Sequence, residues 1–180
     1  MPDSLETPRM VLRRPTVADA KAMLEEYSGD PKATRYLAWR PHRSHVEAQQ
    51  YLSERVAEWR SGVRWTYAIT LQGANDRMIG HIRVSPTSEG LRFGFVLAAR
   101  MSGRGLMSEA VFAVVPCAEQ ISSRLWAYCD AENVASIRVL EKSGFHRESL
   151  KPASAVFPNI SDQPRDCLIL GRYRAFDHAT

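Results

Sequence analysis

A glycine-rich break separates a run of strand-like segments from a helix at Arg100-Met101-Ser102-Gly103-Arg104-Gly105-Leu106-Met107-Ser108-Glu109-Ala110, and no other stretch limits the fold as tightly. Two glycines one residue apart let the chain turn sharply and let a ligand come close to the backbone. A helix that starts directly behind such a turn presents its first amides unpaired, at the positive end of its dipole. That arrangement suits an anion such as a pyrophosphate, with Arg100 and Arg104 adding charge on the rim. The break is not a Gly-Lys-Ser/Thr phosphate loop, and Ser108 stands where a dinucleotide fingerprint needs its third glycine. Taken alone, the two glycines would equally suit a steric strand-to-helix turn.

The pattern on either side of the break predicts a mixed α/β chain. Met10–Arg13 reads as a short strand. Thr16 and Asp19 then open a helix whose apolar face is Val17, Ala20, Met23 and Leu24, ended by Gly29. A second helix runs from Ser44, with Glu47 completing a capping box, to about Arg60 before Gly62. The period then changes to that of strands: Arg64–Leu71, Met78–Ser85 and Leu91–Leu97, with turns at Gly73–Asp76 and Pro86–Gly90, form an antiparallel meander. After the break come a helix to about Gln120, a strand Arg124–Asp130, a helix Asn133–Ser143 and a strand Phe145–Leu150. A loop Lys151–Gln163 and a strand Asp166–Tyr173 close the chain. The strand–helix–strand unit implies a locally parallel pair, and the whole a mixed sheet with helices on its faces.

Composition narrows the function classes. The chain has 180 residues, 44% of them hydrophobic, enough for one core without a metal or a disulfide. The net charge of +4 suits an anionic ligand, but the basic residues form no run of five or more, so nucleic acid is not the expected partner. Cys117, Cys129 and Cys167 are odd in number and widely spaced, which argues against a disulfide framework and a metal site and for a reducing cytoplasm. The N-terminus carries Asp3 and Glu6 and is no signal peptide. The longest apolar run, Ala110–Ala118, is too short for a membrane span and contains Pro116.

Several motifs in order resemble the GNAT superfamily of acetyltransferases. Arg100-x-x-Gly103-x-Gly105 is similar to its Gln/Arg-x-x-Gly-x-Gly/Ala acyl-CoA motif. Gly103 through Ala110 resembles the GxGxxxEA stretch of the RimJ/RimL-like branch, which modifies protein N-terminal amines among other targets. Asn133-x-x-Ser136, continuing through Glu141-Lys142-x-Gly144-Phe145, resembles that branch's NxxSxxxxEKxGF signature. Leu12-Arg13-Arg14-Pro15, Ile79-Gly80, Gly94-Phe95 and Asp166 also fall in family order. The resemblance implies one domain over residues 8–176, with 1–7 and 177–180 as loose termini. Its fold would be a mostly antiparallel mixed sheet, splayed near its centre and flanked by helices. It implies acetyl-CoA as cosubstrate, no metal, an amine acceptor and no membrane, and it leaves a homodimer open. The pantetheine arm would lie along Phe95, Val96 and Leu97. The pyrophosphate would sit on Gly103, Arg104, Gly105 and the following Leu106, Met107 and Ser108, with Arg100 and Met101 at the entry.

The chemistry the resemblance implies is direct transfer from a thioester to an amine, which needs a neutral amine, a polarised carbonyl and a supported thiolate. Asn133 is expected as a helix N-cap and as a contact to the coenzyme arm or a positioning water. Many family members carry a tyrosine proton donor seven residues after that asparagine. Here the position is Leu140, and Ser136 is the nearest donor, unless it is only a small packing residue. A glutamate base often lies two residues before the Gly-Phe of the strand; here that residue is Arg92. His81 and Glu89 are the candidate bases, with Tyr128, Asp130 and a water relay as alternatives. Cys117 and Cys129 read as inert thiols, and Trp39, Trp59, Trp65 and Trp126 as core or cleft aromatics. A non-catalytic acyl-CoA-binding module is the competing reading.

Overall fold

The structure, a computed structural model, describes residues 1–73 and 76–174. Eight strands form one sheet in the order β1-β2-β3-β4-β5-β6-β8-β7. They are β1 Ser4–Glu6, β2 Met10–Arg13, β3 Trp65–Leu71, β4 Gly80–Thr87, β5 Gly90–Leu97, β6 Arg124–Asp130, β7 His146–Val156 and β8 Pro164–Tyr173. Every neighbouring pair is antiparallel except β5 and β6. The helices are α1 Ala20–Met23, α2 Pro31–Thr34, α3 His45–Ser61, α4 Leu106–Glu119 and α5 Val134–Lys142. The predicted meander is β3–β4–β5, and the predicted parallel unit is β5–α4–β6. No helix among the described residues is long and apolar enough to cross a membrane.

Local sequence signals account for the long elements. Ser44 caps α3 by accepting the Glu47 N–H at 3.2 Å, while Glu47 accepts the Arg43 N–H at 2.8 Å, one residue earlier than a capping box requires. Gly62 ends α3 in a left-handed conformation, φ 69°. Pairing register divides the sheet into two faces. His81, Arg83 and Ser85 of β4 stand beside Val96, Gly94 and Arg92 of β5, and Arg92 stands beside Trp126 of β6. This face looks toward α3, whose Glu58 pairs with Arg83. The opposite face lies under α4 and α5: Phe93 packs edge-on against Phe145, 5.6 Å between ring centres, and Arg172 of β8 donates to Glu119 of α4.

Four expectations need correction. The N-terminal residues are not all loose, because Ser4–Glu6 pairs with Val11–Arg13 as an edge strand. The first helix is not uniform. A 3₁₀ turn at Val17–Asp19 leads into α1 and then a wide π turn at Leu24–Ser28. Asp19 anchors this start by accepting the Thr16 N–H at 2.7 Å and pairing with Arg13 at 2.7 Å. The short helix Pro31–Thr34, begun by Pro31 and capped by Asp30, is an addition. The expected loop Lys151–Gln163 is half strand: β7 runs on to Val156, with a register shift at Lys151/Ala155 and Ala153 at φ 45°. Residues 74 and 75 of the expected turn and the C-terminal residues from 175 onward lie outside the described residues.

Candidate active site

The site begins where two strands part. β5 and β6 are paired only at Leu91↔Leu125 and Arg92↔Trp126. β5 continues to Leu97 bonded to β4 alone, and β6 continues to Asp130 bonded to β8 alone. From Phe93 onward the inner edge of β5 therefore offers its backbone N–H and C=O groups to whatever enters the wedge. Phe95 and Leu97 are half-buried and Val96 is buried. Gly94 sits in the wedge with open space where a side chain would be.

The chain leaves β5 through a 3₁₀ turn, Ala99–Met101, with Met101 buried, and enters the glycine loop. Gly103 and Gly105 hold φ 78° and 74°. A Cβ would meet no neighbour at Gly103 and only Arg9 at 3.6 Å at Gly105, so conformation and not crowding calls for glycine. Gly105 caps α4 with no side-chain hydrogen bond, while Leu106 and Met107 are buried as the helix enters the core. Arg104 and Ser102 are exposed and Ser108 half-buried on the rim. An uncapped helix start behind two left-handed glycines is the geometry of an anion site.

The loop is held from a distance. Arg9, before β2, donates to the Arg104 carbonyl at 2.9 Å and pairs with Glu109 of α4 at 2.6 Å. Burial alone would raise the Glu109 pKa, but hydrogen bonds from Thr7 and Arg9 outweigh it and hold the carboxyl below its usual range. Nothing in the sequence pattern ties Arg9 to a loop about a hundred residues away. Arg100 does not reach over the loop: its guanidinium pairs with Glu26 of the π turn, which also holds Arg77. Its part on the rim is to fasten the loop's entry to the first helical segment.

Asn133 is the N-cap of α5, its Oδ1 accepting the Ser136 N–H at 3.2 Å. Ser136 is half-buried on the first turn, and Leu140 is buried in the core. His81 lies under α3 at 6% exposure. Its Nδ1 is 2.9 Å from the Tyr27 hydroxyl, and its Nε2 is 3.4 Å from that of Tyr51. Burial lowers its pKa to about 3, aided by the charges of Arg83 and Arg55. The ring therefore stays neutral and is a poor proton acceptor. Glu89 lies on the β4–β5 turn, at the closed end of the wedge, exposed and paired with Arg124 at 3.0 Å. Neither candidate base is a poised acceptor: His81, beside Val96 of β5, is buried and neutral, and Glu89 is engaged by Arg124. Asp130 is buried and bound to Arg165. Tyr128, half-buried on β6, faces the wedge side with Trp126, and the Arg92 guanidinium lies over both rings. Burial pushes the Cys129 thiol up to about 12, so it stays protonated, as expected of an inert thiol. Among the described residues no three His, Cys, Asp or Glu side chains gather as a metal site. Of the tryptophans, Trp59 is core and Trp65 is half-buried at the start of β3; Trp126 lines a concavity over β6, β7 and β8 with Tyr128, Glu148 and Lys151, and Trp39 stacks on His42, 5.0 Å between ring centres.

Comparison with known proteins agrees with this architecture. Residues 9–146 match the family model described as an acetyltransferase (GNAT) domain. The chain is 30% identical over 125 residues to the probable N-acetyltransferase YjcK of Bacillus subtilis (strain 168). That match spans 66% of this chain and 65%, just under two thirds, of YjcK. The fold is similar to that of the microcin C7 self-immunity acetyltransferase MccE, solved with acetyl-CoA and AMP. The TM-score is 0.84 at 13% identity, covering 97% of this chain and 98% of that one. It is equally similar to RimL, the ribosomal L7/L12 alpha-N-protein acetyltransferase solved with coenzyme A. Here the TM-score is 0.83 at 17% identity, covering 94% and 97%. With the wedge, the glycine loop and the matched family model together, the chain belongs to the GNAT family of acetyltransferases.

Proposed function

We propose that the chain is an acetyl-CoA-dependent N-acetyltransferase of the RimJ/RimL-like kind, moving the acetyl group directly to an amine within a ternary complex. The observation that carries this is the open wedge between β5 and β6 leading straight to the uncapped, left-handed glycine turn of α4. The wedge suits the pantetheine arm along Phe95–Leu97, and the amides from Gly103 to Ser108 suit the pyrophosphate. MccE and RimL, which share the fold, were solved with acetyl-CoA and coenzyme A. The three free cysteines fit a reducing cytoplasm.

In this reading the amine lone pair attacks the thioester carbonyl carbon, the C–S bond breaks, and the sulfur leaves with the electron pair. The Ser136 hydroxyl, on the turn capped by Asn133, is the donor to that sulfur, since Leu140 has no proton to give. A thiol with a reference pKa of ~8.5 leaves without full protonation, so one neutral donor suffices. The amine proton passes to water. With His81 neutral and Glu89 bound to Arg124, an α-amine (pKa ~8) is the better acceptor, because more of it is neutral at pH 7 than of an alkylamine at ~10.4.

The test is thiol release on mixing the protein with acetyl-CoA and a panel of amines. Amine-dependent release supports the transferase. Tight coenzyme A binding with no release for any amine would make the chain an acyl-CoA-binding module instead.

A further inference from the structure

The α3 side of the wedge carries more positive charge than its carboxylates can match. Glu58 of α3 holds three guanidinium groups: Arg55 at 2.7 Å, Arg64 at 2.9 Å and Arg83 at 3.1 Å. Arg55 also pairs with the exposed Glu54 at 3.0 Å. Arg92 makes no ion pair among the described residues and lies over Trp126 and Tyr128, 5.9 and 5.7 Å from their ring centres. Four arginines thus face two glutamates. The remaining charged groups do not redress the balance. Glu89 and Glu148 are both engaged by Arg124. His42 and His81 are held neutral, in both cases chiefly by burial. Among the described residues the buried Arg83 Nε has no hydrogen-bond partner, an unmet donor where such donors are normally satisfied.

The position of this excess matters. Arg83 is the register partner of Gly94, and Arg92 lies two residues before Gly94 on β5, so the two flank the open point of the wedge. Arg92 precedes Leu97 by five residues, about 17 Å of strand, and the glycine loop lies beyond that. Phosphates seated on the loop are out of its reach. Resting on the acetyltransferase reading, we propose that the amine acceptor carries an anionic group, a carboxylate or a phosphate, a few bonds from its amine, and that Arg92, backed by Arg83, binds that group. With its guanidinium over two aromatic rings and no carboxylate partner among the described residues, Arg92 has N–H donors left for two-point recognition of either anion. Arg92 then serves acceptor selection at the position where the resemblance often implies a glutamate.

The experiment compares matched amines as acceptors, by initial rates of thiol release from acetyl-CoA. One pair is an α-amino acid and its carboxamide; the other is phosphoethanolamine and ethanolamine. The two pairs distinguish carboxylate from phosphate. The proposal expects kcat/KM to favour the anionic member of at least one pair by tenfold or more, the ratio to collapse toward one in R92Q, and to invert in R92E. Equal rates within both wild-type pairs, or a ratio that survives R92Q, overturn it. A second readout needs no turnover. With coenzyme A already bound, succinate or inorganic phosphate should raise the Tm of the wild-type protein and not of R92Q. If no amine is turned over but this shift is present and lost in R92Q, the transferase reading fails and the anion site stands. If neither anion shifts the wild-type Tm, the anion site is rejected.

Discussion

Replacing Gly105 by valine tests the glycine loop directly. Gly105 sits at φ 74°, ψ 3°, as the residue that opens α4. An L-residue in that region costs about 1–2 kcal/mol, and strain at a β-branched residue reaches about 3. No crowding adds to this, because the nearest atom to a new Cβ is an Arg9 nitrogen at 3.6 Å. If the variant keeps the turn, it loses about 1–3 kcal/mol of stability, or about 2–4 °C of Tm for each kcal/mol in a chain of this size. If it relaxes to negative φ, the amides at the start of α4 turn away. Each hydrogen bond to a charged phosphate is worth about 1.5–3 kcal/mol, so one lost amide weakens coenzyme A binding by roughly tenfold to a hundredfold. Calorimetric titration with coenzyme A, beside a thermal melt, reads both. A folded Gly105→Val variant that binds coenzyme A with wild-type affinity refutes the assigned loop.

Three further outcomes follow from the same geometry. A Cβ at Gly94 meets no atom of the described residues, so Gly94→Ala should match or exceed the wild type's stability by up to about 1 kcal/mol; turnover should fall because the methyl projects on the α3 side where the strands part, and unimpaired kcat would show that the acceptor does not approach there. Ser136→Ala should lower kcat by about tenfold to a hundredfold with little change in the KM for acetyl-CoA; a wild-type rate, with chemistry rate-limiting, would leave Ser136 as packing. His81, with a folded pKa of about 3 against an ordinary 6.5, takes up its proton first in the unfolded chain. Its contribution is therefore complete above pH 6.5 and is lost as pH falls toward 3, at up to about 1.4 kcal/mol per unit. Urea unfolding at pH 6.5, 5.5 and 4.5 should show a shallower slope in His81→Gln, and identical slopes would contradict the buried neutral ring.

What could be read from the sequence was local. The αL glycines, the Ser44 cap, the Gly62 stop and the strand Arg124–Asp130 follow from neighbours in the chain, and each stands where expected. What could not be read depends on residues far apart. Arg9 reaches Arg104 and Glu109, Arg100 turns to Glu26, and His81 is sealed between Tyr27 and Tyr51. Only the folded chain brings these together, so neither the Glu26 partner of Arg100 nor the burial of His81 can be read from the sequence. The sequence shortens β7 because Pro152 and Pro158 read as loop, while an edge strand tolerates a missing donor. The π turn at Leu24–Ser28 has no local signature; its adjacent carboxylates Glu25 and Glu26 make sense only against Arg77 and Arg100.

The two-pair junction between β5 and β6 has a thermodynamic consequence. Past Arg92 and Trp126, β1–β5 and β6–β8–β7 are separate sheets in their hydrogen bonding, spanned by α4. In the proposed reading, an extended ligand arm along β5 would act there as a strand the chain does not encode, satisfying main-chain groups that β6 leaves unpaired past Arg92. Folding and cosubstrate supply are then linked. Saturation at a hundred times Kd adds about 2.7 kcal/mol to the stability of the whole protein. Amide exchange at the inner edge of β5 should slow more than elsewhere, making the wedge a gauge of how much acyl donor surrounds the protein.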